Sequence, residues 1–184
     1  MLSDEALELL LKERGGAVIP IAGEDTSMAP HLAGGDLIAA GPLKHSPRVG
    51  DLLVFRQRDY LVVHRYLGTA RTPDGTPCLR TRGDGRNELD PPVAPSAVRA
   101  RVTAVRRAGS WRSLDGPVPE AYARLVAWHD HAWAIAGIVG RRIGAGTLVT
   151  TIDRVLLRVA SMLLFSPFHR RIAPPAQARA ETSV

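Results

Sequence analysis

The stretch Tyr60-Leu61-Val62-Val63-His64-Arg65-Tyr66-Leu67 is rich in β-branched and aromatic residues and therefore predicts a β-strand. Residues 56–59 before it predict a hairpin connection. Because successive side chains of a strand point to opposite faces, His64 shares a face with Val62 and Tyr66. A histidine in this position is either a partly buried structural residue or a general base held on a rigid strand. The strand alone leaves both interpretations open.

Similar β signals extend over residues 17–107. Short apolar runs between Gly, Pro and Asp residues predict further strands at Val18–Ile21, Leu37–Ala40, Leu52–Phe55, Leu79–Arg82 and Val98–Val105. In the last run, Val98, Ala100, Val102 and Ala104 are expected on one face. Because no long helical segments separate the runs, the pattern predicts an all-β body and not a sheet built of βαβ units.

A short helix is predicted before this body, within residues 1–16. Ser3 would cap it through its hydroxyl, and Gly15-Gly16 would end it. Its apolar stripe would consist of Leu7, Leu10 and Leu11.

The chain after residue 107 has a different composition. A linker is predicted at residues 108–119, a helical hairpin at residues 120–168 and a disordered tail at residues 169–184. Neither helix carries the roughly 20 apolar residues that a membrane span requires. Arginines flank the apolar faces, which suits either an anionic membrane surface or packing against protein. They are Arg141, Arg142, Arg170 and Arg171.

Composition limits the function classes. The 184-residue chain has a formal charge of +6, yet only 5% of its residues are aromatic, so no nucleic-acid partner of the stacking type is predicted. Cys78 is the only cysteine, which excludes an internal disulfide and a cysteine-based metal cluster. His129 and His131 flank Asp130 without a third ligand, so neither a metal nor another cofactor is predicted. Residues 1–14 resemble neither a signal peptide nor a membrane anchor, and a cytoplasmic or peripherally membrane-associated location is expected.

The segment Asp25-Thr26-Ser27-Met28-Ala29-Pro30 places a serine in a turn after the first predicted strand. Most serines in turns bond to their own backbone, and a serine becomes a nucleophile only when a base removes its proton. His64 is a candidate base. Asp84 or Asp90, in a turn rich in Gly and Asp, could supply the carboxylate that orients the imidazole.

Five short strings in this order and spacing resemble the type I signal peptidases. They are Ser27-Met28-Ala29-Pro30, Gly35-Asp36, Val49–Arg56, Val62-Val63-His64-Arg65 and Thr81-Arg82-Gly83-Asp84. They look like the branch with a Ser/His pair, found in the endoplasmic reticulum, archaea and some bacteria. His64 occupies the place of the lysine used by the other bacterial branch. The resemblance covers residues 19–105.

The resemblance implies the β-rich signal-peptidase core, which LexA-type self-cleaving repressors share. It also implies cleavage of a peptide bond after small side chains, in a leader, signal peptide or small precursor. Ser27 resembles the nucleophile, His64 the general base and Asp90 the acidic partner. Asp84 resembles the structural aspartate of its motif and is the second candidate for that partner.

The same resemblance implies the surroundings of the nucleophile. Met28 and Pro30 match positions in the substrate cleft, and the Ser27 N–H would hold the oxyanion. Asp25 stands where family members have a small or hydroxyl residue, and an ionised carboxylate cannot donate to an oxyanion. Thr26 is the alternative donor.

Two other departures favour a specialised relative. The N-terminal membrane anchor of the family is not seen, and Gly85-Arg86 replaces the usual Asn-Asn. Together with Asp25, they leave open a catalytically inactive relative that binds peptides or acts as a scaffold. A DNA-binding repressor with a self-cleaving domain fits less well, because the first helix is too short for a helix-turn-helix unit and that class uses a lysine base.

Overall fold

The computed structural model describes residues 3–86, 88–116, 120–121, 123–125, 127 and 171–172. The architecture is mainly β, and the short helix α1 (Asp4–Arg14) precedes the sheet. The Ser3 hydroxyl accepts a hydrogen bond from the Ala6 N–H at 3.1 Å, and Gly15 ends the helix with a left-handed φ of 67°. The predicted N-terminal helix is therefore confirmed.

Within the described residues the strands form one antiparallel sheet. They are β1 (Ala17–Pro20), β2 (Leu37–Gly41), β3 (Leu52–Gln57), β4 (Tyr60–Arg71), β5 (Pro77–Arg82), β6 (Val98–Arg107), β7 (Ser110–Ser113) and the two-residue β8 (Arg171–Ile172). The order is β1-β2-β6-β3-β4-β5, and β7 pairs with β6 and β8. Each strand predicted in residues 17–107 is present, and Arg58-Asp59 joins β3 to β4 inside the predicted hairpin connection.

Strand β7 lies within residues 108–119, which the sequence assigns to a linker. A two-residue loop joins β6 to β7, with left-handed φ at both Ala108 (48°) and Gly109 (76°). Such a mirror-image turn matches the twist of two antiparallel strands. Trp111, only 5% exposed, packs with Ala39 and gives β7 a buried side chain. The linker prediction is corrected at these residues.

Strand β6 does not keep one apolar face. An extra residue, Thr103, interrupts its pairing with β2, and another, Arg99, interrupts its pairing with β3. Each bulge shifts the register and turns the following side chains to the other face. The residues expected together therefore divide among three clusters: Ala100 and Val102, then Val98, then Ala104.

Two of these clusters form cores on opposite faces of β3 and β4, and β4 carries His64. The main core packs α1 against β1, β2, β3 and β6 and includes Met28 and Leu32 from the β1–β2 connection. The second core, on β3, β4 and β5, contains Tyr66 and Phe55. His64 meets the edge of the Phe55 ring, with 6.2 Å between ring centroids. The alternation predicted for β4 is confirmed.

The remaining sequence predictions concern the C-terminal part. The helical hairpin predicted at residues 120–168 lies outside the described residues, apart from helical positions between 120 and 127, and so do the flanking arginines 141, 142 and 170. Two residues of the predicted tail, 171–172, form β8 against β7. In the described part of the chain, no helix combines the length and the apolar character needed to cross a bilayer.

Candidate active site

Ser27 sits in a tight turn after β1. The Asp25 N–H donates to the Ala22 carbonyl oxygen at 3.0 Å, and the Ala29 N–H donates to the Thr26 carbonyl oxygen at 3.1 Å. These bonds form consecutive turns on both sides of Ser27, which is only 6% exposed. The serine is therefore held on a defined backbone, as a positioned nucleophile requires.

Met28 anchors this turn. Its side chain is 3% exposed and belongs to the main core. The sequence predicts Met28 in the substrate cleft, and that role stays a prediction, while in the structure its side chain packs in the main core beneath the turn. Pro30 and Thr26 are exposed, as residues beside a substrate would be.

The far end of the turn is held by an arginine of β6. Arg107 Nη2 donates to the His31 carbonyl oxygen at 2.9 Å and to Asp36 Oδ2 at 2.6 Å. Asp36 Oδ2 also accepts from the Ala33 N–H at 2.9 Å. The Gly-Asp turn before β2 is thereby tied to the segment that follows Ser27.

The loop after β5 brings Ser27 and His64 together. The Gly85 N–H donates to the Ser27 carbonyl oxygen at 2.8 Å. A Cβ atom placed on Gly83 would lie 2.3 Å from that carbonyl oxygen and 3.0 Å from His64 Nε2. The imidazole and the serine backbone therefore both border Gly83, where only a residue without a side chain fits.

Asp90 lies on the other side of the imidazole. Its Oδ2 is 2.7 Å from His64 Nδ1 and accepts from Thr81 Oγ1 at 2.6 Å. Burial alone would raise the pKa of Asp90, but the hydrogen bonds from His64 and Thr81 hold that pKa below its ordinary value. Asp90 is thus a carboxylate at neutral pH, which places a proton on Nδ1 and leaves Nε2 to accept one.

Asp84 has different partners. Its two carboxylate oxygens accept from Arg65 Nε at 2.8 Å and from Arg65 Nη2 at 2.6 Å, and Oδ2 lies 2.7 Å from His31 Nδ1. Burial alone would raise the pKa of Asp84, yet the Arg65 guanidinium and His31 hold it well below its ordinary value. In the structure, therefore, Asp90 is the carboxylate that contacts the His64 ring, and Asp84 contacts Arg65 and His31 instead. Asp84 holds the loop of Gly83 and Gly85 in place.

His31 is a buried residue of this cluster that the sequence did not single out. It follows Pro30 and is 6% exposed. Burial lowers the pKa of His31, and Asp84 beside it only partly opposes that effect. Nothing in the sequence pairs His31 with Asp84, because the contact arises when the loop after β5 folds onto the serine turn.

The Ser27 N–H, expected to hold the oxyanion, donates to Asp25 Oδ1 at 2.8 Å. Among the described residues, the side-chain hydrogen bonds of the site join the Ser27 N–H to Asp25 and His64 Nδ1 to Asp90, and none joins the Ser27 hydroxyl to His64 Nε2. Catalytic hydrogen bonds are often long before a substrate binds. The structure therefore places the Ser27 backbone and the His64 imidazole beside Gly83, and the Ser27 N–H is bonded to Asp25.

A cavity of about 490 Å³ lies elsewhere, between β2, the segment 42–51 and β6. His31 and Arg65 line it, but neither Ser27 nor His64 does. Among the described residues no group of three or more His, Cys, Asp or Glu side chains could hold a metal ion, and residues 129–131 lie outside that part.

Comparison of the sequence with models of known protein families gives no match, and comparison with curated proteins gives none either. The resemblance to the signal peptidases stays a prediction from the motif residues.

Proposed function

We propose that the protein is a serine endopeptidase of the type I signal-peptidase kind, with Ser27 as nucleophile, His64 as general base and Asp90 behind the imidazole. One observation carries the proposal. The ring of His64 has Asp90 at 2.7 Å from Nδ1 and has Nε2 beside Gly83, which borders the Ser27 backbone. The substrate would be a leader, a signal peptide or a small precursor.

The reaction is acyl transfer in two halves. His64 Nε2 takes the hydroxyl proton as Ser27 Oγ bonds to the peptide carbonyl carbon, and ionised Asp90 stabilises the imidazolium. The C–N bond then breaks, and the imidazolium returns the proton to the leaving amine. Water attacks the resulting ester with the same base, which releases the carboxyl product and restores Ser27.

A fluorophosphonate probe tests this proposal, since it reacts only with an activated serine. Ser27→Ala should abolish labelling, and His64→Ala should reduce the labelling rate by about 10²-fold or more, which is the usual share of a general base. Ser96→Ala, which changes an exposed serine, should label like the parent. A His64→Ala protein that labels as fast as the parent would exclude this mechanism.

The second candidate is a catalytically inactive relative that binds peptides. The observation in its favour is the hydrogen bond from the Ser27 N–H to Asp25 Oδ1, because a carboxylate there opposes an oxyanion. This candidate predicts peptide binding by calorimetry, unchanged in Ser27→Ala, with no probe labelling in the parent at any pH between mildly acidic and mildly alkaline.

We also propose that the C-terminal segment 120–168 forms a helical hairpin that lies on an anionic membrane surface. Its support is the sequence pattern of apolar stripes flanked by Arg141, Arg142, Arg170 and Arg171. The protein should sediment with vesicles that contain phosphatidylserine and remain free with neutral vesicles. If the protein sediments with neither kind of vesicle, the membrane proposal fails and the alternative, in which the hairpin packs on protein, is favoured.

A further inference from the structure

The Asp25 carboxylate accepts a hydrogen bond from the Ser27 backbone N–H, which acyl transfer at Ser27 would need for the oxyanion. The nucleophile oxygen and the backbone N–H belong to the same residue, so the carbonyl oxygen of a substrate attacked by Ser27 Oγ comes to lie next to the Ser27 N–H. In the free protein this N–H donates to Asp25 Oδ1 at 2.8 Å. One N–H cannot give a full hydrogen bond to both oxygens.

The charge of Asp25 adds to the obstruction. A hydrogen bond to a carboxylate is stronger than a bond to a neutral acceptor, so the substrate oxygen competes at a disadvantage. If the carboxylate stays nearby, its negative charge repels the oxyanion as it forms. Within the described residues Asp25 makes no ion pair that would neutralise it.

The contact is nevertheless one that can open. Asp25 is an exposed residue, so water can solvate its carboxylate after a side-chain rotation. The turn itself does not depend on that carboxylate alone, because the Ser27 carbonyl oxygen is held by the Gly85 N–H at 2.8 Å and Met28 is buried in the main core.

We propose that Asp25 limits the reaction by holding the oxyanion donor of Ser27 in the free protein, and that acyl transfer requires its side chain to rotate away. This inference rests on the proposed function. It gives a consequence that is rare for a residue inside a catalytic site: removal of its side chain increases the rate.

The experiment measures the second-order rate of fluorophosphonate labelling in the full chain. Asp25→Ala frees the N–H and should label about 10-fold faster than the parent, a part of the 10²–10³-fold that one oxyanion donor contributes. Asp25→Asn keeps an acceptor oxygen without the charge and should fall between the two. Glu24→Ala removes the same charge from the adjacent exposed residue, outside this contact, and should stay within about 2-fold of the parent, because exposed charges interact weakly through water.

Each outcome has a clear reading. Faster labelling of Asp25→Ala but not of Glu24→Ala supports the inference. A parent that labels at Ser27 as fast as Asp25→Ala overturns it and leaves the proposed function standing. If neither the parent nor any Asp25 variant labels, both the proposed function and the inference fail. Asp25→Ser serves if thermal unfolding shows that Asp25→Ala has lost the fold.

Discussion

Thr81 and Asp90 are joined by two hydrogen bonds. Thr81 Oγ1 donates to Asp90 Oδ2 at 2.6 Å, and the Asp90 N–H donates to the Thr81 carbonyl oxygen at 3.0 Å. Thr81 is fully buried, so water does not replace the hydroxyl. The position of Asp90 is therefore fixed by β5 independently of His64, which meets the same Oδ2 at 2.7 Å.

The first prediction concerns Thr81 as a positioning residue. Thr81→Val keeps the shape of the side chain but removes the donor to Asp90. We expect the labelling rate to fall about 10-fold, within the range that general-base catalysis contributes. Thr81→Ser restores the hydroxyl and should recover most of the rate. Equal rates for the valine and serine variants would show that the hydroxyl does not act through Asp90.

The second prediction separates the two aspartates. Asp90→Asn should lose about 10²–10⁴-fold in rate, the share of a general base whose partner is neutralised. Asp84→Asn instead leaves the Arg65 guanidinium without its carboxylate, and breaking such a buried pair costs about 3–5 kcal/mol of unfolding free energy. Urea unfolding and probe labelling on both variants measure the two effects. A stable Asp84→Asn together with an unfolded Asp90→Asn would reverse the roles assigned here.

The third prediction uses Gly83 as the contact between the serine turn and the imidazole. An alanine methyl there would lie 2.3 Å from the Ser27 carbonyl oxygen and 3.0 Å from His64 Nε2, so the turn or the ring must move. A displacement of about 1 Å can cost about 10²-fold in rate. Gly23→Ala is the control, since nothing lies within 4 Å of its Cβ and its φ is ordinary. Equal labelling rates for Gly83→Ala and Gly23→Ala would contradict the close approach.

The residues that the sequence placed correctly share one property. His64 lies in the part of β4 that precedes its irregularity at Leu67, where side chains alternate between the two cores with a period of two. The other strands in residues 17–107 are predicted in the same way, from apolar runs between Gly, Pro and Asp residues. β6 fails at its bulges, because a bulge depends on the partner strand and leaves no mark in the local pattern.

The contacts that could not be predicted from the sequence depend on the path of the backbone through the turns and loops. Whether Asp25 faces the Ser27 N–H is decided by the turn, and Asp25 could be identified only as an unusual residue near the nucleophile. The pair of His31 and Asp84 joins a turn before β2 to a loop after β5. The second contact forms only when the loop after β5 folds onto the serine turn, so it has no local signal, whereas the first lies within one turn.

The last prediction is the pH dependence of stability. Burial lowers the pKa of His31 from 6.5, so below pH 6.5 the unfolded chain binds a proton that the folded protein resists, and stability falls as the pH falls. The groups that face His31 are Asp84, Arg65 and Arg107. The pKa of Asp84 is lowered from 3.8, so its contribution is present above pH 3.8 and is lost as the pH falls further. Urea midpoints should therefore decline in two stages.

His31→Asn tests the assignment, because asparagine keeps a donor for Asp84 but does not titrate. We expect this variant to lose the decline that starts near pH 6.5 and to keep the decline below pH 3.8. His45 is an exposed histidine, and His45→Asn should leave both stages unchanged. If His31→Asn retains the first stage in full, another group causes it. The buried pair of His31 and Asp84 would then not control stability in mildly acidic solution.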